Sequence, residues 1–286
     1  MADLETVMDF AERCGAAVIE DAAQALGARW RGKSVGSIGD AGFYSLAVGK
    51  GLTLYEGGVL TAHDPSLRAA MTEVSKAIAP YRRKWEIRRL LELAAYAALY
   101  RPATLGFVYG MPLRRALKRG NAIEAVGDDF SADIPLHEVG TWRKAIGANA
   151  LTRLPSFLDA LTAQAVRRKQ RLAAISGVTL MEDNRNGIGV WPFFMVLMPD
   201  VQTRDAALSF LWPAGLGVSR LFVHALPDYP YLASTIGTVN VPHARDFAAR
   251  MLTVSNSSWM REEEFSLICE TLERCAVSAR QQRKQF

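Results

Sequence analysis

Four apolar residues in a row, Ala16 to Ile19, stand between a glycine and a pair of acids, Glu20-Asp21. A run this short does not make a helix, and without alternation it offers no polar face. It therefore predicts a strand buried on both faces. A helix feeds it. Residues 3–14 carry Leu4, Val7, Met8 and Ala11 on one stripe, and Gly15 ends the pattern. Further strands are expected over Gly42 to Leu46 and over Gly58 to Ala62, the latter after a Gly57-Gly58 turn. A helix followed by buried strands with short Gly-rich connections implies an α/β layer architecture.

The chain changes character downstream. Tyr81 to Leu99 reads as a helix, basic at its start, and Pro102 breaks it. Residues 141–175 read as one long helix, with Leu151, Leu154, Phe157, Leu158, Leu161 and Ala165 on a stripe. A strand over Phe193 to Met198 and a helix over Asp205 to Trp212 follow. The final helix starts near Ser258, with Glu262, Glu263 and Glu264 at its favourable dipole end and Phe265, Ile268, Cys269 and Leu272 as its buried stripe. This pattern predicts a first domain over 1–140, carrying a basic, apolar helical insert at about 70–130. Residues 141–286 then supply a long connecting helix and a small C-terminal α+β domain.

Composition excludes several classes. Cys14, Cys269 and Cys275 are widely spaced and form no CxxC pair, and His63, His137, His224 and His243 form no HxxxH or HxH. Neither a disulfide framework nor a metal centre is expected, and the reading is cytoplasmic. The first residues, MADLETVMDFAERCG, have no basic or apolar leader pattern.

The chemistry concentrates between Ala17 and Ala62. Asp21 directly follows the expected strand, and ligands of open α/β sheets collect at the carboxyl ends of strands. A carboxylate there needs a positive partner, and a protonated ring nitrogen of a cofactor would be one. Alternatively, Asp21 caps a helix over Ala22 to Leu26. Lys50 has no charged neighbour between Asp40 and Glu56, and Gly49 and Gly51 flank it. Desolvation would lower its pKa and free the amine for a Schiff base. Alternatively, it is an exposed lysine in a glycine-rich turn. Ser45, at the end of the second strand, has a hydroxyl that can donate to a phosphate oxygen.

Together, VIEDAAQALGA, the GK-VGS-GDAGFYSL pattern, Lys50 and GGVLTA resemble the DegT/DnrJ/StrS-type sugar aminotransferases, which are pyridoxal-phosphate (PLP) enzymes of fold type I. The likeness continues through WRKAIGANALTRLPSFLDALTAQAVRRKQRLAAISGV to the C-terminal helix. It implies a three-layer PLP-transferase fold with a partial large domain. It also implies pyridoxal 5'-phosphate as cofactor and four roles. Asp21 pairs with the ring nitrogen, Gln24 contacts the ring's hydroxyl side, Ser45 binds the phosphate, and Lys50 holds the cofactor covalently and is catalytic. The implied reaction aminates a keto group of a nucleotide-linked sugar, with an amino-acid donor, in a homodimer, for surface polysaccharide or secondary-metabolite sugars. The chain departs from the family in three ways. It is expected to lack an N-terminal segment, Pro135-Leu136-His137-Glu138 carries no Asn, and Val48-Gly49 replaces a Pro-Thr. Two alternatives follow: a non-catalytic or truncated remnant acting as a binding protein, and a PLP-dependent sugar dehydratase, which Lys50 counts against.

Arg82 to Arg119 holds ten Lys/Arg against two Glu, in a chain of net charge +5. Residues 80–119 could touch a membrane surface, or could be a solvated face whose apolar side packs on a dimer partner. Nucleic acid is not expected as a partner, because the basic residues lack the interleaved aromatics of a base-stacking surface.

Overall fold

The computed structural model of the protein describes residues 2–126 and 135–283. The elements begin with α1 (Leu4–Cys14), β1 (Ile19–Asp21), β2 (Arg29–Trp30), β3 (Lys33–Ser34), β4 (Ala41–Ser45) and β5 (Gly58–Ala62). The helices α2 (Pro65–Ile78), α3 (Arg83–Leu99), α4 (Pro102–Val108), α5 (Gly110–Lys118), α6 (Ala122–Val126), α7 (Thr141–Leu151) and α8 (Leu154–Ala173) come next. The chain closes with β6 (Thr179–Leu180), β7 (Gly187–Ile188), β8 (Phe193–Leu197), α9 (Val201–Leu211), β9 (Val218–Ser219), α10 (Ala233–Ile236), α11 (Pro242–Arg250), β10 (Met251–Ser255) and α12 (Glu262–Arg283). Two compact units result: Met1–Arg101, Ala132–Thr162 and Glu182–Pro192 in one, and Pro102–Ser131, Ala163–Met181 and Phe193–Phe286 in the other.

In the first unit Asp3 caps α1 by accepting the Thr6 amide, and Gly15 ends it at φ +62°. One sheet runs β1-β4-β5. β1 lies parallel to β4 with Asp21 beside Phe43, and β4 lies antiparallel to β5 with Ser45 opposite Gly58. A small ribbon, β3-β2-β7, completes the pairing. Ala22, Ala28, Trp30 and Val35 form one buried cluster, and Leu46, Leu54 and Leu93 another.

The first strand is shifted from its expected place. Ladder pairing begins at Ile19, which is 70% exposed, and the inward residues are Val18 and Glu20. Asp40 causes the shift: its Oδ2 accepts the Val18 amide at 2.7 Å, and the Asp40 and Ala41 amides donate to the Val18 carbonyl. The expected helix over Ala22 to Leu26 is a pair of tight turns, closed by Ala25 N–H to Ala22 O and Ala28 N–H to Ala25 O, both 2.9 Å. Gly27, at φ +95°, ends any helical path, and a Cβ there would lie 2.2 Å from Leu158 Cδ1. Asp21 therefore caps a turn rather than a helix.

The single long helix over 141–175 is two helices, α7 and α8, separated at Thr152-Arg153. Pro155 lacks an amide hydrogen and clashes with the carbonyl four residues back, so it fits the first turn of a new helix and not the middle of an old one. The break rotates the stripe: Leu151 and Phe157 are exposed, while Leu161, Ala165, Arg168 and Leu172 are buried.

The second unit is built on an antiparallel sheet ordered β6-β8-β10-β9, whose core includes Phe194, Val196, Met251, Leu252 and Val254. α9 starts at Val201 rather than Asp205, because Asp200 and Thr203 form a capping box. α12 starts four residues later than expected. Gln164 and Arg168 hold the carbonyls of Asn256, Ser257 and Met260, so those residues stay in turns. Phe265, Ile268 and Leu272 form the buried stripe of α12; Cys269 is only partly buried. Among the described residues, no helix is long and apolar enough to cross a membrane.

Candidate active site

Parallel pairing of β1 with β4 puts Asp21 and Ser45 near the carboxyl ends of neighbouring strands, where open α/β sheets collect ligands. The edge is held from inside by Glu20, the residue before Asp21. Its buried carboxylate accepts the amides of Gly36 at 2.7 Å, Gly39 at 2.7 Å, and Ile38. Glu20 thus points inward and Asp21 outward by strand alternation. Asp21 Oδ1 accepts the Ala23 amide at 3.0 Å.

Lys50 sits half-buried in the loop after β4. Burial lowers its pKa below the ordinary lysine value, and the Asp21 carboxylate opposes that by favouring the ammonium. The Asp21 charge thus acts on the Lys50 amine. Among the described residues the Lys50 amine has no ion-pair partner. Ser45 Oγ accepts the Ala47 amide at 3.2 Å, which leaves its hydrogen available for donation. Gln24 is exposed in the first turn after Asp21 and makes no hydrogen bond to the other three among the described residues. The structure thus places the Asp21 charge where it acts on Lys50, sets Ser45 on the adjoining strand, and leaves Gln24 separate. An amine without an anionic partner, a carboxylate within its field and a hydroxyl with a free hydrogen suit a ligand that carries an aldehyde, a protonated ring and a phosphate.

The loop that carries Lys50 is closed at its neck by Leu46 N–H to Gly57 O and Leu54 N–H to Leu46 O, both 2.8 Å. Tyr55 in its stem adopts φ +71°, a left-handed conformation strained for a side chain of that size. The carbonyls on either side of Tyr55 are gripped by one fully buried guanidinium. Arg143 Nη1 donates to Leu54 O at 3.2 Å and to Glu56 O at 2.7 Å. Its Nε and Nη2 pair with the buried Glu86, closest at 2.6 Å. Burial pushes the Glu86 carboxyl up, but Arg143 and the Gly140 amide outweigh it and hold it below the ordinary range. The Glu56 carboxylate accepts Trp85 Nε1 at 3.0 Å and Arg89 Nε. His137, in the stretch without Asn, lies 3.4 Å from Glu56 and tilts against Trp85. Beyond Lys50, a cleft of about 460 Å³ opens between Gly51-Leu52 and the α7–α8 junction, lined by Ala150, Arg153, Leu154, Ser156 and Phe157.

Sequence reading missed Glu20, Glu86 and Arg143. Glu86 is seven residues before buried Leu93, and Arg143 four before buried Gly147. In the sequence both read as ordinary helix charges, because the burial of those positions is set by the fold.

Comparison with known proteins gives a consistent result. The profile of the DegT/DnrJ/EryC1/StrS aminotransferase family matches residues 1–89 and 140–273. GDP-perosamine synthase of Caulobacter vibrioides is 40% identical over 84 residues, 29% of this chain and 23% of that protein. L-glutamine:scyllo-inosose aminotransferase of Streptomyces griseus is 47% identical over 64 residues, 22% of this chain and 15% of that protein. The solved structure of DesI in the presence of its TDP-sugar product superimposes with a TM-score of 0.66 at 20% identity, covering 100% of this chain and 62% of DesI. The matches thus span less than a quarter of each of these two curated relatives. The fold is that of the fold type I aminotransferases.

Proposed function

The chain belongs to the DegT/DnrJ/EryC1/StrS aminotransferase family, and from that premise we propose that it is a PLP-dependent aminotransferase placing an amino group on a keto carbon of a nucleotide-linked sugar. The observation that carries the reading is the half-buried Lys50 amine, with its pKa lowered by burial and the Asp21 carboxylate acting against that shift.

Bound PLP supplies an aldehyde that captures amines and a protonated ring that draws electron density from the attached carbon. Lys50 Nζ would be the amine that holds that aldehyde, and, when unprotonated, the group placed to carry a proton to and from the substrate carbon. Asp21 would accept the ring N–H and keep its proton in place. Ser45 would donate its hydroxyl hydrogen to a phosphate oxygen, and Gln24 would serve the ring's hydroxyl side. Residues 1–140 hold the cofactor, and 141–286 supply the connecting helices and small domain.

The names of the relatives support the substrate class. A GDP-sugar and a TDP-sugar appear in two of them, and glutamine as donor in the third. Surface polysaccharide or secondary-metabolite sugar synthesis, a homodimer and a cytoplasmic location complete the reading. The location rests on three unpaired cysteines.

The test uses the full chain with added PLP. The protein gains visible absorbance, borohydride reduction fixes a pyridoxyl group on the Lys50 peptide, and Lys50→Ala abolishes both. Glutamine or glutamate with keto-sugar nucleotides then gives an aminated sugar. A chain that stays colourless and carries no adduct on Lys50 refutes the proposal and favours a binding protein.

A further inference from the structure

Residues 90–139 lie between the two stretches that the family profile covers, so nothing in the family reading accounts for them. Within them α4 and α5 pack on each other, and α5 packs on α6, all in one unit. α5 buries Gly110, Leu113 and Ala116 on its inner face. By helical spacing, Met111, Arg114, Arg115 and Lys118 fall on the opposite face, and all four are exposed. The approach to this face is apolar: Phe107 is 71% and Val108 48% exposed. From Pro102 to Arg119 the sequence has four basic residues and no acidic one. Arg114 donates to Gly106 O and Arg119 pairs with Glu124, whereas Arg115 and Lys118 have no ion pair among the described residues.

We propose that the α4–α5 hairpin is a docking surface for anionic phospholipid bilayers. An exposed aromatic and aliphatic tip beside a basic helical face matches the interface of such a bilayer, with apolar groups entering the acyl boundary and cations meeting the headgroups. A second copy of the chain is the poorer occupant. Twofold pairing through this patch sets the same cations against each other, and like charges across an interface repel. The surface would hold the protein at a membrane without crossing it.

The experiment is flotation of the full chain with phosphatidylcholine vesicles, with and without phosphatidylglycerol. The protein floats with the anionic vesicles at low salt, and high salt releases it. Arg115→Ala with Lys118→Ala weakens the partition about 30-fold, which converts ~1 kcal/mol per basic side chain near the surface. Phe107→Ser weakens it as well, and because Phe107 is exposed, circular dichroism and the thermal midpoint stay at the wild-type values. Three outcomes overturn the proposal: no flotation, equal flotation on pure phosphatidylcholine, or wild-type partition in the double variant. A fall in sedimentation mass for Phe107→Ser without vesicle binding assigns the patch to self-association. Capture of RNA without vesicle binding assigns it to nucleic acid. Either of these also overturns the proposal.

Discussion

Replacing Arg143 with methionine removes the one group that holds both Glu86 and the stem of the Lys50 loop. The Arg143 side chain is 0% and the Glu86 side chain 6% exposed, so water cannot take over the lost contacts. Among the described residues Glu86 would keep the Gly140 amide and the weaker influence of His137, and the carbonyls of Leu54 and Glu56 would lose their shared donor. Breaking a buried pair at one partner costs about 3–5 kcal/mol, because the remaining charge is stranded. Arg88→Ala, which cuts the exposed Arg88–Glu92 pair, is the control and costs under ~1 kcal/mol. Equilibrium urea unfolding measures both. Adding Glu86→Leu to Arg143→Met recovers part of the loss, because the stranded charge is gone. Hydrogen exchange reads the second consequence: amides of residues 47–53 exchange faster in Arg143→Met, whether or not cofactor is present. The pH dependence has a definite sign. The folded-state Glu86 pKa is depressed, so the pair's contribution is full above the ordinary carboxylate range and lost as pH falls through the Glu86 value. The gap between wild type and variant therefore narrows in acid. A cost near that of the Arg88→Ala control, or unchanged exchange in the loop, refutes the clamp.

Three further outcomes follow from the same geometry. Asp21→Asn removes the charge that favours the Lys50 ammonium, so Lys50 deprotonates at lower pH; its amine-labelling profile, followed by peptide mass spectrometry, shifts to lower pH, and an unchanged profile contradicts the coupling. Glu20→Ala leaves the Gly36, Ile38 and Gly39 amides without their acceptor and costs roughly 3 kcal/mol or more, at ~1.5–3 kcal/mol per charge-assisted bond with partial rescue by water; denaturant titration reads it, and a loss below ~1 kcal/mol argues against the anchor. Gly140→Ala places a Cβ 2.5 Å from the Glu86 carboxylate and puts a poorer residue at the N-cap of α7, so the thermal midpoint falls; an unchanged or raised midpoint shows that Glu86 has room to move.

The proposed site residues could be picked out only together: residue type, glycine flanks and position after strands left an ordinary structural alternative for Asp21 and for Lys50, and Ser45 carried little by itself, until the family resemblance of the surrounding motifs joined them. The strand over Gly58 to Ala62 follows from its apolar run and preceding turn. What holds them was not legible. Glu20 reads as the first half of a strand stop, since the three amides that neutralise it come from residues 36–39. Arg143 and Glu86 looked like ordinary helix charges, because their partnership spans 57 residues. The helix break at Pro155 could be read in principle, since a ring without an amide hydrogen does not sit mid-helix; the apolar stripe running across it masked the signal.

That long-range pair also brackets the 90–139 stretch, which the family profile does not cover. Glu86 precedes it and Arg143 follows it, and both fall inside the portions that the family profile covers. Once two points of a chain are pinned, lengthening the segment between them costs little, about 0.6 kcal/mol for each doubling. Losing one partner of the buried ion pair costs several times that, so the pair keeps the ends fixed while the intervening sequence changes. The same guanidinium holds the carbonyls flanking Tyr55. The contact that closes the insert is thus also the contact that sets the stem of the Lys50 loop. Inserted helices can then acquire a surface of their own without moving the amine, provided Arg143 stays buried against Glu86.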